Sequence, residues 1–259
     1  MHAIKIVGFK CSNISFIKFP LLTGFPPEAV PDNFQKETAR ILMDKYRMPE
    51  EEAASVTQVF LRNFRLCPHN ENEKIDEWRV FLWTNALTDQ YKWAAKEIYA
   101  EWIRLRYECL APGSGVISML KKLRCKYSVG LITNGTTASQ WEKIDQLKLR
   151  SYFDCILVSG DLPWEKPDKN IFYRACELMS VNPSDCIMVG DKMETDIIGA
   201  KAAGVLATVL ISPNPSLSYL NYPRPDYVLE SSLLLLNLLH NQPDLDVMDD
   251  SNSNSSDGS

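Results

Sequence analysis

This 259-residue sequence lacks long apolar runs, paired cysteines and an excess of positive charge. No apolar run reaches the roughly 18 residues that a membrane-spanning helix needs, so no membrane association is expected. The seven cysteines include no C-x-x-C pair, and several stand in apolar runs, which is typical of reduced, buried thiols in a cytoplasmic protein. The formal net charge is −5. Without a basic excess, binding to nucleic acid is not expected either.

Histidine and glycine are also scarce. The three histidines are scattered along the chain and lie near no other candidate ligand in sequence, so a histidine-rich metal site is not expected. No glycine occurs from residue 25 to residue 112. Apolar and aromatic side chains recur in that stretch at spacings of three and four residues, which is the period of a helix. We therefore predict a helical domain over residues 33–110, with its aromatic side chains in the core.

The chain changes character after residue 112. Short apolar runs alternate there with segments of helical pattern, and the runs occupy residues 127–132, 155–158, 186–189 and 206–211. Buried strands separated by helices are typical of a parallel sheet that is covered on both faces. We predict an α/β domain with a doubly wound parallel sheet over residues 111–240.

The two ends of the chain differ from both domains. Residues 1–32 contain two short apolar runs, at 3–9 and 14–19, followed by several prolines. Because proline interrupts a helix, this segment is expected to add at most one strand to the sheet. Residues 241–259 contain five aspartates and no lysine or arginine. A polar, acidic segment of this kind is expected to be disordered.

Polar side chains follow three of the apolar runs at the points where the predicted strands end. Thr133 and Asn134 follow the first run, Lys166 comes within ten residues of the second, and Asp191 and Asp196 follow the third. In a doubly wound sheet, ligands bind at the carboxyl ends of the strands. A hydroxyl, an ammonium group and two carboxylates at one edge suit a phosphate group together with a divalent cation.

Each of these features also has a plainer interpretation. Thr133 and Asn134 could cap the following helix, Lys166 could be a solvated loop lysine, and the Gly190–Asp191 pair could be an ordinary turn. The occurrence of all three, in this order and each at a strand end, favours one common site.

The order LITNG, EKP, VGDKMETD resembles the motifs of the haloacid dehalogenase superfamily of phosphatases. Within that superfamily, residues 127–210 are most similar to the N-acylneuraminate-9-phosphatase branch. The resemblance implies that residues 33–110 form a helical cap, inserted before the phosphatase core at 111–240. It also implies Mg²⁺-dependent hydrolysis of a small phosphorylated sugar acid. A phosphatase of another small phosphomonoester is the alternative, because the cap would decide the substrate.

The resemblance also implies a role for each motif residue. Thr133 and Asn134 would hold phosphoryl oxygens, and Lys166 would bridge the phosphate and the catalytic nucleophile. Asp191 would bind Mg²⁺, and Asp196 would orient the water shell of the metal. In this family an aspartate attacks phosphorus, and a second aspartate two residues later acts as general acid and base.

These two catalytic aspartates are not found in the sequence. The family places them in a D-x-D-x-T or D-x-D-x-V motif after an apolar strand, but the run at 14–19 is followed by PLLT. The D-x-D formed by Asp244 and Asp246 is interpreted as part of the acidic tail, and Cys11 as a buried thiol without a histidine to activate it. Two explanations are open. Either an alternative or wrongly assigned first segment precedes an intact phosphatase, or the chain is a pseudoenzyme that binds a phosphorylated ligand.

Overall fold

The structure is a computed structural model that describes residues 14–16, 29–64, 75–213 and 223–240, with side chains from Phe34 onward. The apolar run at 3–9, Cys11 and the acidic tail at 241–259 lie outside the described residues, so the predictions made for them stay predictions.

The strands of the structure form one parallel sheet of six, in the order β3-β2-β1-β4-β5-β6. They are β1 (Ile14–Phe16), β2 (Val129–Thr133), β3 (Cys155–Val158), β4 (Cys186–Gly190), β5 (Ala207–Ile211) and β6 (Tyr227–Leu229). This confirms the doubly wound α/β fold. Strand β1 lies in the middle, paired with β2 on one side and β4 on the other. Sequence reasoning did not predict β6, which has only three residues, none of them buried.

The helices fall into two groups along the chain. The first group is α1 (Ala29–Tyr46), α2 (Glu50–Phe64), α3 (Ile75–Ala86) and α4 (Ala95–Leu110), and the second is α5 (Ser114–Arg124), α6 (Thr137–Gln146), α7 (Lys169–Leu178), α8 (Ile198–Ala202) and α9 (Leu235–His240). The first group forms the helical cap, and the second covers the sheet. None of these helices is long and apolar enough to cross a bilayer.

The cap has an aromatic core of its own. The ring of Phe60 stacks on Trp83 with centroids 3.9 Å apart and meets Trp102 edge-on at 4.9 Å. Each such pair contributes about 0.5–1.5 kcal/mol beyond burial of its area. The prediction that the aromatic residues are core is wrong for two others, because Phe81 is 60% and Trp93 73% exposed. Leu82 and Trp83 take the buried positions beside Phe81, and Trp93 lies in a 3₁₀ turn that breaks the helical period.

The sheet is buried on both faces, as its continuous apolar strands require. Successive residues of one strand pack on opposite sides: Leu131 belongs to the apolar cluster on one face and Ile132 to the cluster on the other. In β4 the residues Val189 and Met188 divide between the faces in the same way. This two-sided packing fixes the register of the strands and therefore the positions of the side chains at their carboxyl ends.

The segment after β4 is not a continuous α-helix. It begins as a wider π turn at Met193–Ile197 and becomes α-helical only at α8. Single π turns are frequent at functional sites, and this one contains Asp196. The helix ends where the sequence indicates, since Gly204 follows it with a φ of 74°, a conformation that glycine adopts without strain.

Candidate active site

The loops after β2 and β3 are joined by a reciprocal pair of hydrogen bonds. Asn134 donates from Nδ2 to the carbonyl oxygen of Lys166 at 2.8 Å, and its Oδ1 accepts from the backbone N–H of Lys166 at 2.9 Å. Asn134 is 2% exposed, so these bonds satisfy a buried amide. The plainer interpretation of Asn134 as a helix cap is wrong, because the residue preceding α6 is Thr136.

The Lys166 side chain is buried at the edge of the sheet. Its Nζ atom lies 3.0 Å from Oδ1 of Asp196 and donates to the carbonyl oxygen of Ile132 at 3.1 Å. Both charged side chains have no exposed area. A solvated loop lysine is therefore excluded. Burying a charge is costly unless it is paired, and the Asp196 carboxylate provides that pairing.

Asp196 uses both oxygens within the protein. Its Oδ2 accepts from the backbone N–H of Lys192 at 3.1 Å, and its Oδ1 accepts from the hydroxyl of Thr195 at 3.3 Å in addition to Lys166. Gly190 makes this approach feasible, because a Cβ atom at that position would lie 2.4 Å from Cβ of Asp196. A carboxylate engaged in this way suits a supporting role better than direct ligation of a metal.

Asp191 is less buried than Asp196. It directly follows Gly190, the last residue of β4, and is partly exposed. The described residues hold no group of three or more histidine, cysteine, aspartate or glutamate side chains arranged for a metal. Mg²⁺ is commonly bound by one or two carboxylates together with substrate phosphate and water. The donors present therefore fit a Mg²⁺ ion whose shell is completed by a phosphate.

The hydroxyl of Thr133 is held by a residue that sequence reasoning missed. Thr133 is the last residue of β2, is 1% exposed, and donates to Oε1 of Gln140 at 3.1 Å. The N–H of Gly135 donates to the hydroxyl of Ser159 at 2.9 Å. Ser159 could have been found from the sequence, because it directly follows a predicted strand. Gln140 could not, because no pattern distinguishes it from the other polar residues of a helix.

The cap and the core are joined by an ion pair that sequence reasoning also missed. Arg79 of α3 donates from two nitrogens to Glu142 of α6, at 2.7 and 2.6 Å, and is itself 1% exposed. Burial opposes ionisation of Glu142, but the hydrogen bonds from Arg79 outweigh it and hold the pKa of its carboxyl below the usual 4.5. The helix that begins beside Thr133 therefore also anchors the cap.

Strand β1 ends between the strands that lead to Thr133 and Asp191. The sequence contains no aspartate or glutamate before Glu28. None of the eleven residues that follow β1 in the sequence, 17–27, is therefore an aspartate or a glutamate.

Comparison with known proteins identifies the same group of enzymes. Residues 51–210 match the model of the haloacid dehalogenase-like hydrolase family. The human N-acylneuraminate-9-phosphatase is 36% identical over 208 residues, covering 78% of this chain and 84% of the human protein. A glyceraldehyde 3-phosphate phosphatase from Methanothermobacter thermautotrophicus is 37% identical over 109 residues, covering 42% of this chain and 48% of its own.

A solved structure shows the same fold. A HAD phosphatase from Thermococcus onnurineus superposes with a TM-score of 0.51 and 24% identity, covering 82% of this chain and 91% of that one. The chain therefore belongs to the haloacid dehalogenase-like hydrolases, within which it is a phosphatase by family and resembles N-acylneuraminate-9-phosphatase.

Proposed function

We propose that this chain recognises an N-acylneuraminate 9-phosphate or a closely similar phosphorylated sugar acid. The observation that carries the proposal is the buried arrangement of Asn134, Lys166 and Asp196, which holds a positive charge and two loop backbones at the strand ends. The identity to N-acylneuraminate-9-phosphatase supports the sugar acid, because its 208 aligned residues are more than the core at 111–240 alone contains.

Within this site each residue has a proposed role. Thr133 and Asn134 bind phosphoryl oxygens, with Gln140 orienting the Thr133 hydroxyl. Lys166 neutralises phosphate charge from its fixed position beside Asp196. Asp191 would hold Mg²⁺, with Asp196 keeping the Gly190–Lys192 turn in place. Mg²⁺ supplies charge neutralisation of the phosphate when it is bound.

We further propose that the chain with this N-terminal sequence binds its ligand but hydrolyses it poorly. Covalent phosphoryl transfer needs a carboxylate in line with phosphorus, and a second acid to protonate the leaving oxygen. Residues 1–27 contain neither. A cytoplasmic location is part of the proposal and is supported by Cys155, Cys176 and Cys186, which are buried and form no disulfide.

A calorimetric titration tests the proposed ligand. The full chain is titrated in Mg²⁺ buffer with N-acetylneuraminate 9-phosphate and, separately, with glyceraldehyde 3-phosphate, which represents the other phosphatase relative. We expect the sugar acid phosphate to bind at least about tenfold more tightly, a difference of about 1.4 kcal/mol. Equal affinity, or no binding of the sugar acid phosphate, would contradict the proposal.

A further inference from the structure

The boundary between cap and core contains a second buried arginine, and its surroundings differ from those of Arg79. Arg106 of α4 is 7% exposed. Among the described residues, it donates to the hydroxyl of Tyr107 at 3.2 Å. The guanidinium otherwise faces the rings of Phe64, Trp102 and Tyr107, with centroids 5.3 to 5.7 Å away.

The carboxylates of this region are both bonded to the other arginine. Glu142 accepts two hydrogen bonds from Arg79, and Asp76 accepts one at 3.5 Å. Within the described part of the chain, no carboxylate lies within hydrogen-bond distance of Arg106. Burial accordingly lowers the pKa of Arg106. Its charge is largely buried, and the acceptor that the described residues offer it is the hydroxyl of Tyr107.

A largely buried guanidinium that faces aromatic rings and is bonded to no carboxylate of the described residues suits a planar anion. The guanidinium fork matches the two oxygens of a carboxylate, and such bidentate pairs are stronger than bonds between neutral groups. The three aromatic rings keep Arg106 positioned and exclude water, which strengthens an added charge pair.

The position of Arg106 relates it to the phosphate site. Glu142, which lies close enough to act on the charge of Arg106, belongs to the same helix as Gln140, the partner of Thr133. The two residues are separated by only about 3 Å of helix rise. A sugar acid carries its phosphate and its carboxylate at opposite ends. The phosphate loop and the cap boundary can therefore contact the two ends of one ligand.

We propose that Arg106 binds the carboxylate of the sugar acid and so selects acidic sugar phosphates over neutral ones. This inference rests on the proposed function and assigns the acidic end of its ligand. Arg79 takes no direct part, since Glu142 already occupies its two terminal nitrogens.

A matched pair of ligands tests this assignment. The full chain is titrated in Mg²⁺ buffer with N-acetylneuraminate 9-phosphate and with the C1 methyl ester of the same compound, in which a methyl group replaces the negative charge of the carboxylate. The variants are Arg106→Met, Arg106→Lys and, as control, Arg104→Met. Arg104 lies on the same helix, is 60% exposed and pairs with Glu101 and Glu108.

We expect the unmodified chain to bind the acid about 10- to 100-fold more tightly than the ester, as a charge-assisted hydrogen bond provides. Arg106→Met should remove this preference without changing the affinity for the ester, Arg106→Lys should keep part of it, and Arg104→Met should keep all of it. Thermal unfolding shows whether Arg106→Met folds. If it does not, comparing the two ligands on the unmodified chain and on Arg106→Lys still tests the role of Arg106.

Three results would overturn the assignment. Equal binding of acid and ester by the unmodified chain, or a preference that survives Arg106→Met, contradicts the role of Arg106 while leaving the proposed function intact. Binding of neither compound contradicts the proposed function and this inference with it.

Discussion

The ammonium group of Lys166 and the carboxylate of Asp196 form an ion pair 3.0 Å long from which water is excluded on all sides. The pair links the loop after β3 to the turn after β4, and the backbone of Lys166 is in turn bonded to Asn134 after β2. Three strand ends are therefore held together by one lysine. The positive charge of Lys166 is therefore fixed in position before any ligand binds.

Removing one partner of this pair should be strongly destabilising. Asp196→Ala leaves the Lys166 ammonium buried without its counter-charge, which typically costs about 3–5 kcal/mol. Urea denaturation measures the change in the free energy of unfolding. The control is Glu177→Ala, since Glu177 pairs with Arg174 on the surface, with 69% and 40% of the two side chains exposed. That variant should lose less than about 1 kcal/mol. Equal losses would show that the buried pair is not structurally important.

Gly190→Ala should disturb the site through contact alone. The added methyl group would lie 2.4 Å from Cβ and 2.7 Å from Oδ2 of Asp196, so the π turn must move. Overpacking of this kind costs about 1–3 kcal/mol, measured by thermal or urea unfolding. Gly115→Ala is the matched control, because its methyl group would meet only Leu233, at 3.4 Å. Gly115→Ala should leave the free energy of unfolding unchanged or raise it slightly. A Gly190→Ala variant as stable as the unmodified chain would argue against close packing of Asp196.

The ion pair between cap and core should make stability depend on pH. The pKa of Glu142 in the folded protein lies below its usual value of 4.5. The stabilisation is therefore present above about pH 4.5 and is lost as the pH falls through the lower pKa of the folded state. Glu142→Gln should reduce the free energy of unfolding by about 2 kcal/mol at pH 7, and the difference should shrink as the buffer is acidified. Chemical denaturation across the pH range gives this difference. A constant difference would contradict the assigned ion pair.

Mg²⁺ should bind weakly in the absence of phosphate. Both oxygens of Asp196 are engaged by protein donors, which leaves Asp191 as the carboxylate for the metal at the end of β4. Mg²⁺ sites of this type depend on substrate phosphate to complete the octahedral shell. Calorimetric titration of the chain with MgCl₂ should show no micromolar binding, and added inorganic phosphate should increase the apparent affinity. Micromolar binding without phosphate would contradict this account.

The sheet and the residues at its edge could be predicted because they follow simple patterns. Buried strands appear as short apolar runs, and the carboxyl ends of parallel strands meet at one edge. Thr133, Lys166 and Asp191 were identified on those grounds. The three-residue strands β1 and β6 give a weaker signal: β1 lies in the middle of the sheet, but its sequence ISF differs little from the run at 3–9.

The contacts between cap and core could not be predicted from periodicity. A helical pattern assigns polar residues to the solvent face, yet Arg79 is buried and meets a glutamate 63 positions later in the sequence. Arg106 is hidden in the same way. Only the packing of one helical group on the other shows which charged residues are removed from water.

Restoring the first motif tests the central claim most directly. The unmodified chain is compared with a version in which residues 14–23 are replaced by a family-type strand that ends in D-x-D-x-T. Phosphate release is measured for both with Mg²⁺, on N-acetylneuraminate 9-phosphate and on a generic aryl phosphate. Because general acid–base catalysis alone contributes about 10²–10⁴-fold, the restored chain should be faster by at least that factor, while both chains bind the ligand. Turnover by the unmodified chain at a rate near that of the restored one would contradict the account, and the nucleophile would then have to be sought at Asp244 or Asp246.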